Sequence, residues 1–120
     1  MKIYLKRALL SALLTSFCFL ASIHSLQGQV VINEYSVSNL KDYPDNHLSY
    51  EDWFELYNSG SAAVALDGYH LSDKVNNPTK WVIPTGVTIP AGGILRFWAS
   101  GRDEVVSTHY HTNFKLAQTK

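Results

Sequence analysis

Residues 50–60 read YEDWFELYNSG. Three carboxylates, Glu51, Asp52 and Glu55, crowd around Trp53, as acids and an indole do in a sugar-cleaving site. The same letters also spell a half-buried β-strand. Alternate residues of a strand share a face. Glu51, Trp53, Glu55 and Tyr57 then lie on one side, and Asp52, Phe54, Leu56 and Asn58 on the other. Phe54 and Leu56 point into a core, and Asn58-Ser59-Gly60 stops the strand. Glu51 and Glu55 are separated by about 13 Å at roughly 3.3 Å per residue. Glycosidase carboxylate pairs stand about 5–5.5 Å or about 6.5–9.5 Å apart. No pair within the strand fits, so no catalytic residue is assigned. The acids read as partners for cations on neighbouring strands, with Glu55 or Glu34 facing Lys80 or Arg96.

The texture of this stretch recurs along the chain. Runs rich in Val, Ile, Tyr, Phe and Trp at 29–37, 62–66, 69–72, 80–83, 87–89 and 94–99 alternate with Gly, Pro, Asn and Asp. Residues 114–116 are a candidate start for one more strand. Asp67-Gly68 marks a turn, and Pro90-Ala91-Gly92-Gly93 fits a turn with proline in its second position. No stretch after residue 28 keeps a helical period, and there is no internal repeat. Short strands with frequent turn signals predict an all-β fold, a β-sandwich with a small barrel as the competing architecture.

The first residues follow different rules. Residues 1–7 carry Lys2, Lys6 and Arg7 and no acid; residues 8–23 are uncharged and mostly apolar; polar residues follow. This is the layout of a secretory signal peptide, so the expected division is a signal-peptide helix over 1–28 and a domain over 29–120. Cys18, the only cysteine, falls in the apolar run after the bulky Phe17, an unsuitable neighbour for lipidation. A mature domain without cysteine has no disulfide and no zinc–thiolate site. From residue 29 on there are 7 basic and 10 acidic residues, a net −3 with histidine neutral. That balance excludes a basic footprint for nucleic acid.

One ordered set of motifs is more specific than these patterns. It runs Val31-Ile32-Asn33-Glu34, then Asp52-Trp53-Phe54-Glu55-Leu56-Tyr57-Asn58, then Leu66-Asp67-Gly68-Tyr69 with Leu71 and Asp73. Lys80-Trp81 through Pro84, Ile89-Pro90-Ala91-Gly92-Gly93, Trp98-Ala99-Ser100-Gly101 and His111-Thr112-Asn113-Phe114-Lys115-Leu116 complete it. In order and spacing, residues 30–116 resemble the bacterial lamin tail domain. The resemblance implies an immunoglobulin-like β-sandwich and a non-catalytic module, an accessory to secreted or surface proteins. Members usually continue with a Gly-containing turn and further strands, so the expectation is an N-terminal portion of a longer protein. Hydrolases, nucleases or spore-coat-kinase-like domains can be neighbours in such proteins.

Three constellations remain as candidates for binding. Trp53, Tyr57 and Glu55 share a strand face and would form a platform for protein or glycan if the 38–49 loop left them uncovered. His109 and His111, two apart on a strand, would project together and could share a metal with His70 or Asp103. Asp42, Asp45 and Asn46 offer oxygen ligands of the kind calcium takes, without EF-hand spacing, with Asp73 and Asn76 as possible partners. The sequence has no Gly-x-Ser-x-Gly, phosphate-binding glycine loop or His-Glu-x-x-His. No cofactor is required. The expected function is a non-enzymatic binding, anchoring or spacer module, secreted or at the cell surface, with no membrane contact after signal removal. The alternatives are the front part of a secreted enzyme and a calcium-dependent adhesion module.

Overall fold

The computed structural model describes residues 30–117; the expected signal helix over 1–28 lies outside them. Nine strands follow one another among the described residues: β1 (Val30–Ser36), β2 (Trp53–Asn58), β3 (Val64–Ala65), β4 (His70–Leu71), β5 (Trp81–Val82), β6 (Thr88–Ile89), β7 (Ile94–Trp98), β8 (Glu104–Val106) and β9 (His109–His111). The strand read from residues 50–60 is β2, and it runs inside the main sheet. That sheet has the order β1-β2-β7-β9-β8; β3-β6 and β4-β5 form two separate ribbons.

Alternation along β2 explains why the ribbons pack where they do. Phe54 and Leu56 point to one face, and their register partners on β7 are Phe97 and Leu95. Phe54 stacks on Phe97 at 5.5 Å between ring centroids and on Phe114 at 6.4 Å. Leu66, Leu71, Trp81, Ile83, Val87 and Ile89, from the ribbons and their turns, close over these rings to make one buried cluster. Each fully buried side chain of this size stabilises the fold by about 1.5–3 kcal/mol. The product is an immunoglobulin-like β-sandwich, as expected.

Buried polar groups fix the turns. Asn58 is fully buried at the end of β2. Its Nδ2 lies 2.7 Å from the carbonyl of Ala62 and 3.1 Å from those of Ile89 and Pro90. Its Oδ1 accepts the N–H of Gly60 at 3.0 Å. One side chain therefore ties the turn after β2 to the turn before β7. In that second turn Gly93 N–H donates to Pro90 O at 2.9 Å, and Gly92 has φ +66°. Proline is thus the first residue of the turn, not the second, and Gly92 takes the left-handed position that a type II turn needs.

Three further features decide what the sequence reading left open or add to it. Both faces of β2 are covered, since Trp53 and Glu55 are buried along with Phe54 and Leu56. The metal reading alone puts a strand at His109–His111, and no reading puts one at 104–106; both exist, as β9 and β8, and β9 pairs with β7 in parallel, Phe97 with Tyr110 and Trp98 with His111. Residues 114–116 form no strand: Phe114 and Leu116 plug the core, and only Lys115 makes a bridge, to Ser100. Among the described residues no helix is long and apolar enough to cross a membrane.

Candidate functional site

The second face of β2 is covered by residues 38–49, and two side chains hold that loop in shape. Asn39 donates from Nδ2 to the carbonyls of Asp42 (2.5 Å) and Glu51 (3.1 Å) and accepts the N–H of Asp42 at 2.9 Å. Asp45 accepts the N–H groups of His47 and Ser49 on Oδ1, both at 2.9 Å, and Arg102 Nη1 on Oδ2 at 2.5 Å. Burial pushes the Asp45 carboxyl pKa up. The two N–H groups and the Arg102 guanidinium outweigh burial and hold it below the usual carboxylate value. The loop needs such anchors because Ser38, Tyr43 and Leu48 all have φ between +53° and +65°, a region that is unfavourable for side chains with a Cβ.

Under the loop lies an aromatic and cationic stack. Arg96 stands opposite Glu55 in register, and its Nη2 and Nε donate to Glu55 Oε1 at 2.6 and 3.1 Å. The guanidinium carbon sits 3.8 Å from the Tyr43 ring centroid and 4.7 Å from that of Trp53, a close cation–π geometry. Tyr43 meets Trp53 edge-on at 5.6 Å. Trp53 is only 2% exposed, so the expected platform of Trp53, Tyr57 and Glu55 does not exist as an open surface. Trp53 is roofed by Tyr43, Glu55 is buried in its ion pair, and Tyr57 is half-buried.

The other acids near Trp53 are also engaged by protein donors. Glu51 faces Arg102 at 3.3 Å and Lys115 at 3.4 Å. Asp52 Oδ1 accepts the N–H of Asn39 at 3.1 Å, and Glu55 Oε2 accepts Asn33 Nδ2 at 3.3 Å. Lys80 pairs with Asp73 at 2.8 Å rather than with a glutamate.

The sequence-predicted metal ligands divide. Asp42 is exposed, while both Asp45 oxygens and the Asn46 Oδ1 are directed at protein groups. Asp73 is paired with Lys80. The loop therefore offers no converging set of free oxygens from Asp42, Asp45 and Asn46. Of the two β9 histidines, His111 enters a cluster and His109 does not; Asp103 is hydrogen-bonded to Trp81 Nε1 at 2.8 Å instead.

The cluster at His111 joins residues that the sequence reading left apart. His47 from the loop, Glu104 at the start of β8 and His111 at the end of β9 bring one ligand atom each to within 4.8 Å of one another. His47 Nε2 bonds Glu104 Oε1 directly, and Glu104 Oε1 is 4.0 Å from His111 Nε2. His111 is fully buried; its Nε2 lies 2.7 Å from Asn46 Oδ1 and its Nδ1 lies 2.9 Å from Ser100 Oγ. Burial holds the His111 pKa below the ordinary histidine value, against the pull of Asp45 and Glu104. The hydrogen bond from His47, ahead of nearby positive charge, holds Glu104 below the carboxylate range. His47 and Glu104 were missed because no local signal links residues 57 apart; only the folded loop does.

The fold is that of an immunoglobulin-like module, and the acids beside Trp53 are bound to its own donors. Residues 24–120 match the family model described as Lamin Tail Domain. The chain belongs to that family, whose immunoglobulin-like domain is consistent with a non-enzymatic binding or spacer role. Comparison with curated proteins and with solved structures gave no significant match.

Proposed function

We propose that this chain is a non-enzymatic module of a larger exported protein, binding or anchoring it at the cell surface. The observation that carries this reading is the engagement of Glu51, Asp52 and Glu55 by Arg102, Lys115, Asn39, Arg96 and Asn33. A general acid or base needs an oxygen within reach of a substrate proton, and these oxygens face internal donors. Export is supported by the basic residues 1–7 and the apolar run 8–23.

The binding surface moves from Trp53 to the loop that covers it. Leu40 and Leu48 are each 83% exposed, and Tyr43 is 54% exposed. They sit on a segment already fixed by Asn39 and Asp45, so little ordering entropy is lost when a partner docks. A surface protein or glycan is the partner class.

The test is retention of the purified protein on isolated cell-envelope material. Wild type is expected to be retained, and a Leu40→Ser/Leu48→Ser variant with unchanged Tm several-fold less. Equal retention of the two overturns the loop assignment. Hydrolysis of glycan or nucleic acid that disappears in Glu55→Gln would overturn the non-enzymatic reading.

A further inference from the structure

We propose that His47, Glu104 and His111 form a divalent transition-metal site, with zinc as its fitting occupant, that staples the 38–49 loop to the β8–β9 hairpin. Two imidazoles and one carboxylate are a ligand set that zinc takes, leaving a fourth position for water or another oxygen. The three ligand atoms already lie within 4.8 Å of one another. Zinc bonds of about 2.0–2.2 Å in a tetrahedral arrangement place ligand atoms roughly 3.3 Å apart. The Glu104–His111 separation of 4.0 Å is close to that. The directly bonded His47–Glu104 pair has to open around the ion, and His111 Nε2 has to exchange its bond to Asn46 Oδ1 for the metal.

The surroundings suit a metal better than a plain ion pair. His111 is held by Trp98, whose ring lies 6.4 Å away and nearly parallel, and by Ser100 Oγ on Nδ1. When a metal takes Nε2, the proton moves to Nδ1, where Ser100 Oγ can accept it; this outer hydrogen bond is what orients a ligating histidine. Asn46 Oδ1, 2.7 Å from Nε2, is within reach of the fourth position. Asp45 and Glu104 are the negative groups facing His111, Arg102 is the positive one, and His47 adds positive charge only when protonated. Arg102 is itself paired with Asp45 and Glu51, which limits its repulsion of a cation. His47 and Glu104 are partly exposed, at 42% and 33% of their side chains, so an ion can enter and water can complete its shell.

The staple joins segments far apart in sequence, so its formation restrains the loop. The experiment is calorimetric titration of zinc into chelator-treated, untagged full-length chain near neutral pH, with magnesium as the control cation. One zinc per chain is expected, with slower proteolysis within residues 38–49 and no response to magnesium. His47→Ala and Glu104→Gln lie at the surface and leave the fold standing; each is expected to weaken zinc binding about tenfold or more. His109→Ala is expected to bind as wild type does. Affinity is expected to fall in acid, because protons compete for the ligand atoms. Absence of zinc heat overturns the proposal. So does wild-type affinity in both the His47 and Glu104 variants, or loss of binding in His109→Ala.

Discussion

Glu55 and Arg96 stand opposite each other on β2 and β7, joined at 2.6 Å, and the Tyr43 ring from a distant loop has its centroid 3.8 Å from the guanidinium carbon. Glu55 is 6% exposed. Removing Arg96 leaves a carboxylate buried without its cation, and breaking such a pair costs about 3 kcal/mol or more. Urea unfolding of Arg96→Ala is expected to show that loss. Arg96→Lys is expected to recover only part of it, because an ammonium cannot place two N–H donors on Glu55 Oε1 as Nη2 and Nε do. A loss below about 1 kcal/mol would put the pair in the class of surface ion pairs.

Asp45 gives a pH signature. Its folded pKa lies below the ordinary value, so its contribution is fully present above the unfolded value of about 3.9 and is lost as pH falls through the folded value. Asp45→Asn is expected to be less stable than wild type at pH 7, with the gap narrowing below about pH 4. Chemical denaturation at a series of pH values reads the gap; a constant difference down to pH 2 would rule out the charge as its source.

His111 acts in a different window. Burial lowers its folded pKa, so the unfolded chain takes up a proton first as pH falls below about 6.5. Stability of the metal-free protein is therefore expected to decline from about pH 6.5 downward until the folded value is reached. In His111→Gln that slope is expected to flatten. NMR titration of the wild-type ring should show it neutral at pH values where a free imidazole is half protonated; an ordinary midpoint would refute the assignment.

Asn58 is expected to be intolerant of change. Asn58→Ala removes the donor to the Ala62, Ile89 and Pro90 carbonyls, the last of which keeps the Gly93 N–H, and the acceptor of the Gly60 N–H, at about 1–3 kcal/mol for each group left buried without a partner. Asn58→Asp removes the Nδ2 donor and sets an acid against carbonyl oxygens, and is expected to lower Tm at least as far. Thermal unfolding followed by circular dichroism compares the two.

The sequence was legible where alternation carried the information. Phe54 and Leu56 face the core as their spacing requires, and Glu55 meets one of the cations named for it, Arg96. It was illegible where shape came from an aperiodic loop. Whether Trp53 was covered depended on Asn39 and Asp45 folding residues 38–49 back over β2, which no residue period reports. A strand at His109–His111 was legible, but not its hairpin with β8, because both strands are only three residues long and carry Glu104, His109 and His111. Parallel pairing to β7, rather than local propensity, places it. His111 was singled out for the wrong neighbour: its companions come from the loop and from β8, not from two residues along its own strand.

The insertion of β9 between β7 and β8 also has a kinetic consequence. The β8–β9 hairpin can close by itself, since Val106 and His109 pair across a two-residue connection, and it must then dock sideways onto β7. The sheet is thus made of an antiparallel block and a docked hairpin, and structure of this kind opens in cooperative pieces. The His47–Glu104 bond ties the hairpin to the 38–49 loop, and the Asp45–Arg102 bond ties the same loop to the segment leading into the hairpin. The loop over Trp53 is therefore also the latch on the hairpin, and amide exchange in β9 should follow release of the loop rather than melting of the whole domain.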